Sequence, residues 1–253
     1  MGSKNILRFA SINIQGDTNL ERVVAFIREY KPDVVCFQEL MQTSLEFFES
    51  ALQMRGYFVP MTKYYAVFTD HQSPVVPFGV GIFSNLDFSN VRSDYYYGGV
   101  GDMPLLTIND GVTDETTNWR VLLRATITKN GDSYTIATTH FTRTGDGSTS
   151  DKQRVDLKNL LAITEKCPEL ILCGDFNAPR GGEIFGALAS TYKDNIPPEY
   201  LSSLDTELHR IGKLKKLMVD GLFTTPQYEA SEVKLSSGVS DHMAVTALIS
   251  KKS

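Results

Sequence analysis

No stretch of this 253-residue sequence approaches the ~20 consecutive apolar residues of a membrane span. The amino terminus also lacks the basic start and apolar core of a secretory signal. Long Ser, Gly or Pro tracts are missing, as are internal repeats, which excludes obvious linkers and solenoid arrays. With 42% hydrophobic and 22% charged residues, the expectation is one globular domain over residues 1–253. Cysteine is scarce: Cys36, Cys167 and Cys173 lie in or beside apolar segments, which suits small buried hydrophobes better than disulfides. A soluble, intracellular chain is therefore expected, with a secreted form whose signal has been removed as the alternative. An excess of positive charge is missing too, since 25 Lys and Arg stand against 30 Asp and Glu for a net charge of −5. That excludes a broad basic face for indiscriminate nucleic-acid binding, but it leaves room for a local basic groove and for a carboxylate-rich metal site.

What is present is an interleaved series of apolar runs and turn signals. "ILRFASINI" (Ile6 to Ile14) alternates as a strand, after which Thr18 and Glu21 stand in capping-box spacing before a helical stripe that Pro32 closes. "DVVCFQEL" reads as a buried strand followed by a helix opening at Thr43 and ending by Gly56. The strand-like runs "YYAVF", "FGVGIFS", "RVLLRATIT" and "SYTIATTHF" come next, the last two joined at Asn130-Gly131, a strong hairpin signal. Residues 151–166 read as a helix, and "ELILCGDF", "KLMVDGLFT" and "HMAVTALIS" close the chain as strands. Hairpins mixed with helical crossovers predict an α/β fold of two packed mixed sheets with helices outside.

The polar residues that interrupt these runs are more telling than the runs. Asn13, Glu39, Arg120, His140, Asp175, Asn177, Asp220, Asp241 and His242 each stand at or beside the end of an apolar segment. One such Asp is usually a turn former or a cap. Repeated along the chain, the pattern predicts a polar site assembled at strand ends, where loops give access and strands give rigidity.

In their order, "SINIQG", "FQEL", "TTHF", "CGDFNAP" and "SDHMAV" resemble the successive motifs of the endonuclease/exonuclease/phosphatase superfamily. Its members include deoxyribonuclease I, abasic-site endonucleases, 5′-tyrosyl-DNA phosphodiesterase, neutral sphingomyelinases and inositol polyphosphate 5-phosphatases. The resemblance spans about residue 7 to about residue 249 and implies a deoxyribonuclease I-like four-layer α/β sandwich. It also implies that Glu39 is the principal ligand of Mg²⁺ or Mn²⁺, with Asn13 and Asp241 as further metal-side residues and Asn13 also near the phosphate. Hard cations of this kind take oxygen ligands. By the same resemblance, Asp175 orients the attacking water, while Asn177, His140 and His242 hold phosphate or leaving-group oxygens. Asp220 hydrogen-bonds His242, and Arg120 meets phosphate, with Arg124 as its rival on the same strand face. Gln15 stands where family nucleases often carry Asp, and Ile12 where they often carry Trp, so a weaker or differently placed second metal is expected.

The function implied is metal-assisted, in-line hydrolysis of a phosphoester, most simply in a nucleic-acid substrate. A sphingomyelinase or inositol-phosphate phosphatase is the rival enzyme, and an inactive binding module, favoured by Gln15, is the rival of another class. No protein partner and no membrane insertion are read from the sequence. "DYYYGGVGD" (Asp94 to Asp102) offers tyrosines for stacking or for packing, "RIGKLKK" (Arg210 to Lys216) reads as a solvated basic stretch, and His71 and His209 as surface histidines.

Overall fold

The computed structural model describes residues 5–67, 70–109, 112–145 and 147–252. In chain order the elements are β1 (Ile6–Asn13), α1 (Leu20–Tyr30), β2 (Val34–Met41), α2 (Leu45–Leu52), β3 (Arg55–Val67), β4 (Asp70–Ser84) and β5 (Asp87–Tyr97). Then come β6 (Ile108–Asn109), β7 (Val112–Thr113), β8 (Arg120–Lys129), β9 (Asp132–His140), α3 (Asp151–Thr164) and β10 (Ile171–Asp175). The chain ends with α4 (Glu183–Thr191), β11 (Lys193–Asp194), β12 (Asp220–Thr224), β13 (Tyr228–Ser236) and β14 (Ala244–Lys251).

Two six-stranded sheets form, in the orders β13-β14-β1-β2-β4-β3 and β11-β12-β10-β9-β8-β5. Each contains one parallel pair, β1 with β2 and β9 with β10. Side chains alternate across each strand, so one parity of every strand faces the other sheet. Leu7, Phe9, Val34, Cys36 and Val80 of the first sheet meet Val121, Leu123, Ile136, Cys173 and Leu222 of the second in the central core. The opposite parity meets helices. Ala10, Ile12, Val35 and Phe37 pack under Val23, Ile27 and Phe48, while Leu122, Ala137, Leu172 and Phe223 pack under Leu157, Leu160, Ile184 and Phe185. The result is the expected deoxyribonuclease I-like sandwich of helix, sheet, sheet and helix. Among the described residues no helix is long and apolar enough to cross a membrane.

Local signals succeed and fail for identifiable reasons. Asn130 and Gly131 adopt positive φ (51° and 90°) at the expected hairpin between β8 and β9. Helix α3 carries a complete capping box of Ser150 and Gln153. The box expected at Thr18 does not form; Asn19 is the N-cap residue of α1, and its amide is committed to Gln15 and Ser240 instead. Helix α2 stops at Gln53, in the left-handed region at φ 54°, and Gly56 lies within β3. There a Cβ would sit 2.5 Å from the Phe83 ring, so packing explains that glycine. All three cysteines are buried free thiols.

Candidate active site

The site is the place where the central core runs out of apolar side chains. Along β1 the inward parity reads Leu7, Phe9, Ser11, Asn13, and along β9 it reads Tyr134, Ile136, Thr138, His140. Along β10 it reads Ile171, Cys173, Asp175, while β12 begins at Asp220, two residues before the inward Leu222. The topology brings these ends together. Asp175 is in register with both His140 and Asp220. Ser11 pairs with Val245, which places the residues just before β14, Asp241 and His242, beside the carboxyl end of β1. A polar layer precedes the site: the buried Gln38 amide donates to Ser11 Oγ (3.2 Å) and to Thr138 Oγ1 (2.9 Å), tying one sheet to the other.

Glu39 reaches the same gap by breaking strand alternation. Gln38 holds the inward parity of β2, so a regular strand would turn Glu39 outward toward the helices. Instead the register with β4 slips between Phe37 and Leu40, and Glu39 adopts φ 58°. A left-handed residue at a bulge re-aims its side chain. At the end of β10, Gly174 has φ 143°, and a Cβ there would lie 1.9 Å from the Thr139 carbonyl oxygen, so only glycine lets β10 approach β9 this closely. Two residues after Asp175, Asn177 turns at φ 49°, with its backbone N–H donating to Asp175 Oδ1 at 2.8 Å and its side-chain amide to the Phe141 carbonyl at 3.1 Å.

Asp175 is the hub. Its Oδ2 accepts from Asn13 Nδ2 at 3.1 Å and lies 3.5 Å from His140 Nε2 and 3.8 Å from His242 Nε2. His140 Nε2 also lies 3.8 Å from Glu39 Oε1, and Asn13 Oδ1 accepts the Gln15 N–H at 3.2 Å. On the far side of His242, Nδ1 meets Asp220 Oδ2 at 2.7 Å.

These placements set the charges. Burial opposes an imidazolium at His242, but Asp220, Asp175 and Asp241 outweigh it and raise its pKa well above 6.5. Burial wins at His140, whose pKa falls to about 3 despite Asp175, and among the described residues its buried Nδ1 has no partner. Glu39 is pushed up to about 7, first by burial and then by the Asp241 and Asp175 carboxylates. Asp241 is likewise raised, by burial first. Carboxylates crowded in this way could hold a cation, and Glu39, with one fifth of its side chain still exposed, could offer it an oxygen. The oxygen donors of this set would suit a hard cation such as Mg²⁺ or Mn²⁺, and with Asp220 at Nδ1 it is Nε2 of His242 that faces the gap.

Arg120 is not brought into this cluster. It follows the outward parity of Leu122 and is 1% exposed, with its guanidinium on the His140 carbonyl (2.9 Å) and on Glu115. Arg124 pairs with Asp94 and Cys167, outside the cluster. The tyrosines of "DYYYGGVGD" pack: Tyr95 bonds the Pro60 carbonyl, Tyr96 is buried against Phe141, and Lys152 lies over Tyr97. His71 is exposed and stacks on Tyr65. The cationic residues of "RIGKLKK" are exposed, with Lys213 paired to Glu207. His209 is the residue that reading the sequence missed. Its half-buried ring lies 5.7 Å from that of His242, and burial, followed by His242, lowers its pKa to about 4. No strand-end pattern marks it, because it lies in an irregular turn of the connection between β11 and β12.

The sequence profile described as the Endonuclease/Exonuclease/phosphatase family matches residues 10–242. No curated protein matches the chain by sequence. The fold is similar to an endonuclease/exonuclease/phosphatase from Bacteroides vulgatus (TM-score 0.71, 15% identity, 98% of this chain and 100% of that one). It is also similar to the human Nocturnin catalytic domain with bound sulfate anion (TM-score 0.65, 21% identity, 98% and 94%). A third likeness is D. rerio TDP2 complexed with single strand DNA product (TM-score 0.63, 18% identity, 97% and 99%).

Proposed function

Because the chain belongs to the endonuclease/exonuclease/phosphatase family, we propose that residues 1–253 act as one divalent-metal-dependent phosphodiesterase domain that hydrolyses phosphoester bonds in nucleic acid. The observation that carries this reading is the convergence on Asp175 of Asn13, His140 and His242 from both sheets, with Glu39 and Asp241 crowding the same gap. Glu39, Asn13 and Asp241 would hold Mg²⁺ or Mn²⁺, which supplies charge screening on the phosphate and stabilises the developing charge of the leaving oxygen.

The chain's own residues do the rest. Asp175, kept oriented by the Asn13 amide and the Asn177 N–H, accepts a hydrogen bond from the attacking water and aims it at phosphorus. His242 stays protonated because Asp220 occupies Nδ1, so Nε2 donates to a phosphoryl oxygen. His140, neutral, offers a second N–H, and Asn177 helps to hold the same phosphate. Donors fixed before the substrate arrives need no reorganisation as charge develops. A nucleic-acid substrate is supported by the likeness to TDP2, whose D. rerio form binds a single strand DNA product. An intracellular, reducing compartment suits the buried free thiols.

The test is a hydrolysis panel of single- and double-stranded nucleic acid, a tyrosyl-DNA end, sphingomyelin and inositol phosphates, run with Mg²⁺, Mn²⁺ and chelator. Metal-dependent cleavage of a nucleic-acid member is expected. Turnover confined to the lipid or inositol substrates would overturn the substrate class, and undiminished turnover in chelator would overturn the mechanism.

A further inference from the structure

The sequence around His209 is built to hold one ring still. The Asp205 carboxylate, 2% exposed, takes no part in the cluster around Asp175 and is consumed by backbone donors. Its Oδ1 accepts the Glu207 and Leu208 N–H groups at 2.8 and 2.9 Å, and its Oδ2 accepts the Gly238 N–H at 2.7 Å. The His209 N–H then reaches the Asp205 carbonyl, and the Gly212 N–H reaches the His209 carbonyl. Gly212 is forced by contact, since a Cβ there would lie 2.0 Å from the Asp205 carbonyl oxygen. The turn is fastened to the segment that carries His242: Asp205 N–H donates to the Asp241 carbonyl at 2.8 Å and Met243 N–H to the Ser203 carbonyl at 2.7 Å. His209 is therefore fixed relative to His242 by backbone bonds on both sides.

The ring's chemistry is fixed as well. Nδ1 of His209 accepts the Ile211 N–H at 3.2 Å. A neutral imidazole that accepts at Nδ1 carries its proton at Nε2. Among the described residues that Nε2 has no hydrogen-bond partner. A ring nitrogen of His209, a ring nitrogen of His242 and a carboxylate oxygen of Asp241 all lie within 4.8 Å of one another. Asp220 accepts at Nδ1 of His242, so in both rings Nε2 is the nitrogen that the flanking turn or Asp220 leaves over, and the ring planes cross at 75°. Crossed rings at this separation, one of them with a fixed Nε2–H, fit an acceptor between them better than they fit each other.

We infer that His209 is a substrate-contacting residue, its Nε2–H completing, beside the Nε2 edge of the His242 ring, a cradle for one phosphoryl oxygen of a phosphodiester. The inference rests on the phosphodiesterase reading and extends it from the strand ends to an irregular turn. His209 adds a hydrogen bond to an oxygen that gains negative charge in the transition state, and no proton is transferred by it.

The experiment compares wild type, His209→Phe, which keeps a flat ring without the donor, and His209→Gln, which returns an N–H near the position of Nε2. Two readouts are taken: kcat/KM on the best substrate of the hydrolysis panel, and affinity for inorganic phosphate in chelator. His209→Phe should lower kcat/KM about 10- to 100-fold, as expected for one lost oxyanion donor, and weaken phosphate binding, with Tm held to within a few degrees. His209→Gln should recover most of both. Unchanged kcat/KM and phosphate affinity in His209→Phe would overturn the cradle, as would a wild type that binds phosphate no better than the Phe variant. If wild type turns over nothing in the panel yet binds phosphate through His209, the phosphodiesterase reading fails and the cradle stands. Should His209→Phe unfold, His209→Gln alone decides: wild-type phosphate affinity in that variant supports the donor, and affinity lost without a change in Tm overturns it.

Discussion

His140 and His242 flank the same carboxylate at nearly the same distance, 3.5 and 3.8 Å from Asp175 Oδ2, and both are buried. Yet one is neutral and the other charged. The difference lies at the nitrogen that points away from Asp175. His242 has Asp220 there at 2.7 Å, whereas among the described residues His140 has no partner at Nδ1, and the Arg120 guanidinium lies on its backbone carbonyl. Burial acts on both rings in the same sense, so the outer partner decides the sign. One end of a core gap thus offers two donors of different strength, an imidazolium and a neutral N–H, which in the proposed phosphodiesterase would meet oxygens of greater and lesser charge.

The comparison presumes a shared centre, and its severest test removes that centre. Glu39→Gln keeps the shape of the side chain while deleting the anion that answers the cation, so turnover should fall by on the order of 10³-fold or more. Circular dichroism should not change, and Mn²⁺ binding followed by calorimetry should weaken in parallel. Retained Mn²⁺ affinity and turnover would show that neither histidine works beside a metal held by Glu39.

The two sides are then separated by deletion. His140→Ala should lower the rate by on the order of 10²-fold while leaving the alkaline limb of the pH–rate profile in place, because its pKa of about 3 lies far below that limb. Asp220→Asn should lower the rate about 10- to 100-fold and also move the alkaline limb to lower pH. The sign follows from the partner: Asp220 raises the His242 pKa, so its removal lets the ring lose its proton earlier as pH rises. A limb that moves in His140→Ala and stays in Asp220→Asn would reverse the assignment of charge.

The smallest effect on chemistry is expected at Arg120. If its buried guanidinium props the His140 side through Glu115 and the His140 carbonyl, Arg120→Met should cost about 3 kcal/mol in urea unfolding, the penalty of breaking a buried pair. Turnover per folded molecule should change less than about 10-fold, well below the loss expected for a phosphate donor. A rise in KM with unchanged stability would instead make Arg120 a phosphate contact.

Much of this site was legible in the sequence because strand parity is local. Leu7, Phe9, Ser11, Asn13 and Ile171, Cys173, Asp175 can be read as one face by counting in twos, and the change from apolar to polar marks where the face meets water. Arg120 shows the limit of motif order: its position in the series is right for the site, but its parity turns it to the outer face with Leu122. The tyrosines at 95–97 stayed open between stacking and packing for a related reason, since a run of aromatics does not say whether a ring meets Pro60 and Thr139 or a ligand.

Alternation and turn chemistry therefore determined the two packed sheets, and the motifs' resemblance to the family singled out most of the residues around Asp175. Only the tertiary structure decided that a bulge at φ 58° swings Glu39 inward, that Asp220 charges His242 while burial keeps His140 neutral, and that a turn anchored by Asp205 carries His209 to the site. The physical reason is range. Parity and capping act over a few residues of one segment, whereas a bulge, a buried charge and the place where an irregular turn docks depend on partners distant in the chain that only packing brings near.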